Sequence, residues 1–147
     1  MCKFLKICAV ILLLVACGDN NLSEMTIVTE NGKVVYFVET AETKEEMSKG
    51  LMNRKALKKD SGMIFNVNEV HDIAIWMKDT YIPLDILFVS KKGKIIWMAE
   101  NTVPLSTTLI RPEIDEQLSA VVEINAGDIK KHKIKLGDTV KHRIIKQ

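Results

Sequence analysis

The chain has 147 residues, of which 47% are hydrophobic and 27% charged, and its formal net charge is +2. This length suits one domain with a sizeable core. A net charge this small provides no long-range attraction to nucleic acid, so a nucleic-acid partner is not expected.

The N-terminal segment predicts export and attachment to a membrane. A basic start is followed by an apolar run over residues 7–16, as in a secretory signal peptide. This run is shorter than the roughly 20 residues that a membrane-spanning helix needs. The motif LVAC ends at Cys17, and a cysteine directly after the cleavage site is typical of bacterial lipoproteins. We therefore predict a signal peptide over 1–16, lipidation of Cys17, a tether over 17–24 and a single β domain over 25–147.

Lipidation would determine both the location of the protein and the chemistry of its cysteine. The cleaved chain keeps one cysteine, which carries lipid, so we predict no disulfide, thiol nucleophile or thiolate metal site. Loss of the signal peptide also leaves equal numbers of basic and acidic residues. The lipid is then the predicted contact with the membrane, in the cell envelope, with the domain facing the periplasm or the exterior. Gly18, rather than aspartate, follows the cysteine, which favours the outer membrane where a cell has two.

The first predicted element of the domain is a β-hairpin. Asn31-Gly32 is a strong signal for a two-residue turn, and it separates Met25–Thr29 from the β-branched and aromatic segment Lys33–Val38.

A short helix follows. Thr43 and Glu46 form a capping box, which predicts a helix over Lys44–Met52. Arg54 comes just after this helix. It could bind a carboxylate or phosphate group of a ligand with two parallel hydrogen bonds, or it could pair with Asp85 inside the fold; the spacing favours neither.

The rest of the chain has short extended segments at regular spacing. This pattern is typical of a mainly β fold, a compact single-domain barrel or jelly-roll-like sandwich with one or two short helices. Residues 101–117 are predicted to form a long surface loop, and 126–133 a short helical turn. The predicted strands are Gly62–Val67, Asp72–Lys78, Leu84–Ser90, Lys94–Ala99, Ser119–Ile124 and Thr139–Ile145.

Alternation along Asp72–Lys78 predicts a small binding platform. Side chains alternate between the two faces of a strand, so the apolar residues up to Met77 would face the core. Trp76 and Lys78 would share the other face, where the indole offers a stacking surface and the ammonium group a charge. The alternative is that Trp76 is covered by a neighbouring loop.

Two carboxylates near Pro83 are candidate acids. Asp85 lies between Leu84 and Ile86 in an apolar strand, where a buried carboxylate needs hydrogen-bond donors or a cation. Asp79 and Asp85 could act together as an acid and a base across the proline loop. Alternatively, Asp85 accepts backbone N–H bonds and braces that loop.

No metal or cofactor is predicted. His71, His132 and His142 are widely separated and form no metal-binding pair in the sequence. The methionines lie at core-like positions, where adaptable packing accounts for them.

Three motifs resemble the bacterial and archaeal family of the domain of unknown function 192. They are GLMxR at 50–54, GMxF at 62–65 and WMKDTxIPLDIxF at 76–88, and the resemblance extends from about Lys33 to Ile145. It implies an exported, compact, mostly β domain of barrel or jelly-roll type, and it supplies no activity. The family usually has asparagine where this chain has Asp79, and many members have a cysteine in the loop matching Val103–Pro112, where this chain has none.

The leading hypothesis is a lipid-anchored, non-enzymatic envelope module that binds a small ligand, a glycan or another envelope protein. Its candidate ligand-binding residues are Arg54, Trp76, Lys78, Asp79 and Asp85. One alternative is a hydrolase or lyase that uses Asp79 and Asp85, which requires both carboxylates at a common cleft. Another is a structural lipoprotein without a pocket.

Overall fold

The structure, a computed structural model, describes residues 22–146. The predicted signal peptide, the lipidation site Cys17 and most of the predicted tether lie outside the described residues. Two short helices accompany seven strands in one sheet. The helices are α1 (Lys44–Lys49) and α2 (Asp128–His132). The strands are β1 (Leu22–Thr29), β2 (Gly32–Ala41), β3 (Ser61–Asn66), β4 (Leu84–Ser90), β5 (Ile95–Ala99), β6 (Leu118–Asn125) and β7 (Thr139–Lys141).

The sheet curls into a nearly closed barrel, as the sequence predicts. Its strand order is β5-β4-β6-β3-β2-β1-β7, and the pairing is antiparallel except between β2 and β3. The two edges meet through a bridge between Lys94 and Thr139, beside which the Val140 N–H donates to the Gly93 carbonyl at 2.8 Å. The parallel pair requires a crossover connection, and that connection carries α1.

Two apolar clusters lie on opposite faces of the central strands. All the strands contribute to the first, which fills the barrel and includes Val122 and Ile124 of β6. Val121, on the other face of β6, belongs to a second cluster on the outer face of β3, β4 and β6. Leu51 and Met77 cover this outer cluster from the connecting segments. Strands buried on both faces are continuously apolar, which explains the composition of β4, whose seven residues are all buried.

The capping box is confirmed. The Glu46 N–H donates to Thr43 Oγ1 at 3.2 Å, and the Thr43 N–H donates to Glu46 Oε2 at 2.9 Å. The helix ends at Lys49, three residues earlier than predicted, because Gly50 takes φ 45° and terminates the helical backbone.

Several strand predictions need correction. Strand β2 continues to Ala41, and β7 ends at Lys141, four residues before the predicted end at Ile145. Strand β1 begins at Leu22, so the last three residues of the predicted tether pair with β2. The predicted strand Asp72–Lys78 is an irregular extended segment, with a single bridge from Ile75 to Ile110. Asp72 has φ 55°, a left-handed conformation that a regular strand does not accommodate.

Candidate functional site

A groove of about 520 Å³ opens on the outer face of the barrel, beside α1; we call it the α1 groove. It lies where α1 and the segment 67–83 leave part of the outer apolar cluster uncovered. Most of its walls are apolar, which is typical of small-molecule sites. Its lining includes Met47, Met52, Phe65, Trp76, Leu109 and Glu123.

Glu123 is the buried carboxyl group of this groove. It lies on β6, directly beside Met63 of β3 and Ile86 of β4, and its residue is 6% exposed. Burial raises the pKa of Glu123 to about 7, although the positive charge of Arg54 acts in the opposite direction.

Arg54 forms a two-pronged ion pair with Glu39. Arg54 Nη2 donates to Glu39 Oε2 at 2.7 Å, and Nη1 donates to Oε1. The hydrogen bond from Arg54, and then its charge, hold the pKa of Glu39 below its usual value despite partial burial. Arg54 thus pairs with Glu39 and not with Asp85, the internal partner that the sequence suggested.

Trp76 and Lys78 lie together, as the predicted platform requires. Lys78 Nζ is 5.3 Å from the centroid of the Trp76 ring, within cation–π range. Trp76 is 42% exposed and lines the α1 groove, whereas Lys78 lies outside it. Backbone bonds fix the segment on both sides of Trp76, since the Ile75 N–H donates to the Ile110 carbonyl at 3.0 Å and the Met77 N–H to the Ser106 carbonyl at 2.9 Å.

Asp79 and Asp85 have different surroundings. Asp79 is exposed, with φ 55°, and its carbonyl accepts the Asn53 N–H at 2.7 Å. Asp85 is fully buried, and its two oxygens accept the N–H groups of Asn101 at 2.8 Å and Ile129 at 2.9 Å. A hydrolase or lyase that uses this pair needs both carboxylates at one cleft, and the structure does not provide that arrangement.

A serine–histidine pair lies elsewhere in the barrel, outside the α1 groove. His142 Nε2 lies 2.6 Å from Ser23 Oγ, and His142 Nδ1 accepts the Ile144 N–H at 3.5 Å. Burial lowers the pKa of His142, which favours the neutral imidazole.

Glu123 and Glu39 were not predicted as site residues from the sequence. Glu123 interrupts the apolar segment VVEI, which is the same signal that identified Asp85 as a buried carboxylate. Glu39 had no comparable signal, because its partner Arg54 is fifteen residues away and the pairing depends on the α1 crossover.

Within residues 22–146, no three histidine, cysteine, aspartate or glutamate residues are grouped as a metal ion would require. None of the helices in this part of the chain is long and apolar enough to cross a membrane.

The fold and the groove define a small, single-domain β-barrel protein with a candidate ligand site on its outer face. The sequence model of the family DUF192, described as "Uncharacterized ACR, COG1430", matches residues 26–142, and the chain belongs to this family. No match is found among curated proteins.

Two solved structures resemble the barrel. A protein of unknown function from Novosphingobium aromaticivorans DSM 12444 is 36% identical, with a TM-score of 0.78 over 82% of this chain and 85% of its own. A candidate transcription regulator from Sinorhizobium meliloti 1021 is 33% identical, with a TM-score of 0.76 over 84% of this chain and 97% of its own.

Proposed function

We propose that the protein is a lipid-anchored module of the cell envelope that binds a small organic ligand in the α1 groove. The observation that carries this proposal is the groove itself, which is lined by both an exposed indole, that of Trp76, and a buried carboxyl group, that of Glu123. An apolar cleft with few polar groups suits recognition of a small molecule, because the walls supply contact area and the polar groups supply orientation.

Binding has better support than catalysis. The groove contains one carboxyl group, and neither a histidine nor a cysteine lines it in the described part of the chain. Acid–base chemistry commonly needs a second group with a different protonation state, and Asp79 and Asp85 do not lie together to supply it. The groove also distinguishes this proposal from a structural lipoprotein without a pocket.

The location follows from the lipoprotein motif. With lipid on Cys17, five residues from the anchor to the start of β1 at Leu22 reach at most about 18 Å. We infer that the barrel is held close to the membrane surface, facing the periplasm or the exterior, and on the outer membrane in a cell with two. The lipid provides the membrane contact.

The binding proposal is tested by thermal unfolding of the mature lipidated protein, which begins at Cys17, in lipid nanodiscs. We expect a millimolar aromatic probe, 2-phenylethanol or 2-phenylethylamine, to raise Tm, because a ligand of the native state stabilises it. Trp76→Leu should abolish the increase. Tyr81→Leu is the matched control, since Tyr81 is exposed on the same connecting segment and does not line the groove. The proposal would be contradicted if neither probe changed the Tm of the parent. It would also be contradicted if Trp76→Leu and Tyr81→Leu lost the probe-induced increase in Tm equally.

A further inference from the structure

Two carboxylates share one cation on the outer face of the sheet. Glu39 of β2 and Glu123 of β6 both pair in register with Met63 of the intervening strand, which places them about 10 Å apart on the same face. Arg54 binds Glu39 through a bidentate pair of hydrogen bonds from its guanidinium group. Its charge also acts to lower the pKa of Glu123, so one guanidinium group serves two carboxyl groups.

The surroundings of Glu123 favour its protonated form. Its neighbours across the sheet, Met63 and Ile86, are apolar. An ionised carboxylate in such a place is costly, so burial raises its pKa to about 7. Because the carboxyl group faces the groove, a ligand cation could replace this proton.

We propose that the α1 groove binds a primary organic ammonium ion, whose amino group pairs with Glu123 and whose apolar part lies against Trp76. This inference rests on the proposed function and adds the chemical class of the ligand. On binding, the Glu123 carboxyl group releases its proton to solvent and the –NH₃⁺ group takes its place. No covalent bond forms or breaks apart from that O–H bond.

Charge complementarity favours a cation over an anion. The charged groups that surround Glu123 are Arg54 with its partner Glu39, and Lys44 and Lys49 at the rim of the groove. The two rim lysines are exposed, so solvent and salt screen their repulsion of a cationic ligand. The Debye length is about 8 Å at physiological ionic strength. Glu123 is buried and screened much less, so its charge dominates at the base of the groove.

The aromatic wall gives the same preference. Trp76 already has one ammonium group near its ring, that of Lys78, which does not line the groove. The electron-rich face of an indole attracts cations, and it also stacks well against apolar groups. A ligand with an ammonium group and a compact apolar body would contact both Trp76 and Glu123.

Affinity should depend on pH through the proton on Glu123. An aliphatic amine stays charged well above neutral pH, since its pKa is near the lysine value of about 10.4. With a pKa of about 7 for Glu123, the carboxylate fraction falls about tenfold from pH 8 to pH 6. Binding of the amine should weaken by about the same factor, and binding of a neutral probe should not change.

Isothermal titration calorimetry of the mature lipidated protein in nanodiscs tests this with three probes of matched size. They are 2-phenylethylamine, 2-phenylethanol and 3-phenylpropionate. At pH 8 we expect the amine to bind at least tenfold more tightly than the alcohol, and the anion to bind weakest. At pH 6 this advantage should fall about tenfold, and titrations in two buffers should report release of nearly one proton per amine bound.

Glu123→Gln should remove the preference for the amine and its pH dependence, while binding of 2-phenylethanol persists. The matched control is Glu45→Gln, an exposed glutamate of α1 that does not line the groove and should leave every affinity unchanged. The parent's proton release tests the proposal even if Glu123→Gln folds poorly.

The outcomes separate the two proposals. Equal binding of the amine and the alcohol at both pH values would overturn the ammonium ligand and leave the binding groove standing. Tighter binding of 3-phenylpropionate than of the amine would also overturn the ammonium ligand and leave the binding groove standing. Absence of binding by all three probes would overturn both.

Discussion

Asp85 and Glu123 each interrupt an apolar strand, and their surroundings differ. Each oxygen of Asp85 accepts a hydrogen bond from a backbone N–H group. One donor is Asn101, two residues after the end of β5, and the other is Ile129, near the start of α2. Glu123 lies between apolar neighbours, and burial raises its pKa to about 7. A carboxylate held by two N–H donors ties loops together, whereas a buried carboxyl group that lines a groove is available to a ligand.

We expect Asp85→Asn to lower the free energy of unfolding by roughly 1–3 kcal/mol at neutral pH, as for loss of a hydrogen bond to a charged group. The amide would present an NH₂ group to one of two backbone N–H donors that need an acceptor. Chemical denaturation measures the loss. Asp79→Asn is the control, since Asp79 is exposed and asparagine tolerates its positive φ, so its effect should stay within about ±0.5 kcal/mol. Equal stability of Asp85→Asn and the parent would refute this bracing role.

Glu123 should make the barrel less stable as pH rises. Its pKa is about 7 in the folded state and near the ordinary 4.5 in the unfolded state, so between these values the folded state holds a proton that the unfolded state lacks. The free energy of unfolding should therefore fall from pH 4.5 to above pH 7, by about 3 kcal/mol for this one group.

Denaturation of Glu123→Gln over the same pH range measures that contribution. The variant has no ionisable group at this position, so the part of the decline due to Glu123 should disappear, while Glu45→Gln should keep it. Glu39 does not interfere, because its lowered pKa places its own contribution at more acidic pH, with stability lost as pH falls. A decline of the same size in Glu123→Gln and the parent would show that Glu123 is not the group responsible.

Among the elements, those set by local pattern could be predicted and the segment 72–78 could not. The capping box starts α1 because Thr43 and Glu46 satisfy each other's backbone groups, and the apolar run Leu84–Ser90 becomes β4 without change of bounds. Asp72–Lys78 has the alternation of a strand, yet its pairing partner around Ile110 lies in a long loop that supplies a single bridge. Alternation specifies which side chains are buried, and it does not specify whether a neighbouring strand exists.

The burial pattern of this segment still allows a test. We expect Met77→Ala to lower the free energy of unfolding by roughly 2–5 kcal/mol, because Met77 is 1% exposed in the outer apolar cluster. Lys78→Ala should change the free energy of unfolding by no more than about 0.5 kcal/mol, since the Lys78 side chain is exposed and lies against the Trp76 ring. Chemical denaturation of both variants compares them. Equal losses would mean that Met77 does not hold the segment to the barrel.

For the whole molecule, the mainly β class was predictable and the strand order was not. Short strands at regular spacing indicate a barrel, but the placement of β3 between β2 and β6 depends on contacts between residues far apart in the chain. The α1 groove is a product of that order, because the crossover from β2 to β3 brings Arg54 to Glu39 and leaves Glu123 at the base of a cleft. Trp76 and Lys78 were identifiable because their pairing is local, and the Glu39–Arg54 pair was not.

The membrane anchor concerns the whole molecule in its envelope, and Cys17→Ala tests it. We expect incorporation of a labelled fatty acid to be lost and the lipidated species to disappear from the membrane fraction of cells. Several acyl chains anchor a protein stably, at about 0.8 kcal/mol per buried methylene, and the chain without its signal has no net charge to replace them.

Cys8→Ala is the matched control, because Cys8 lies inside the predicted signal peptide and is removed with it. This variant should be labelled and sediment like the parent, since the apolar run and the cleavage motif before Cys17 are kept. If Cys17→Ala still carries label and sediments with membranes, Cys17 is not the acylated residue. If Cys8→Ala is neither labelled nor sedimented with membranes, the cleavage site lies earlier in the chain. The distance between the lipid anchor and the barrel would then be longer than inferred from Cys17.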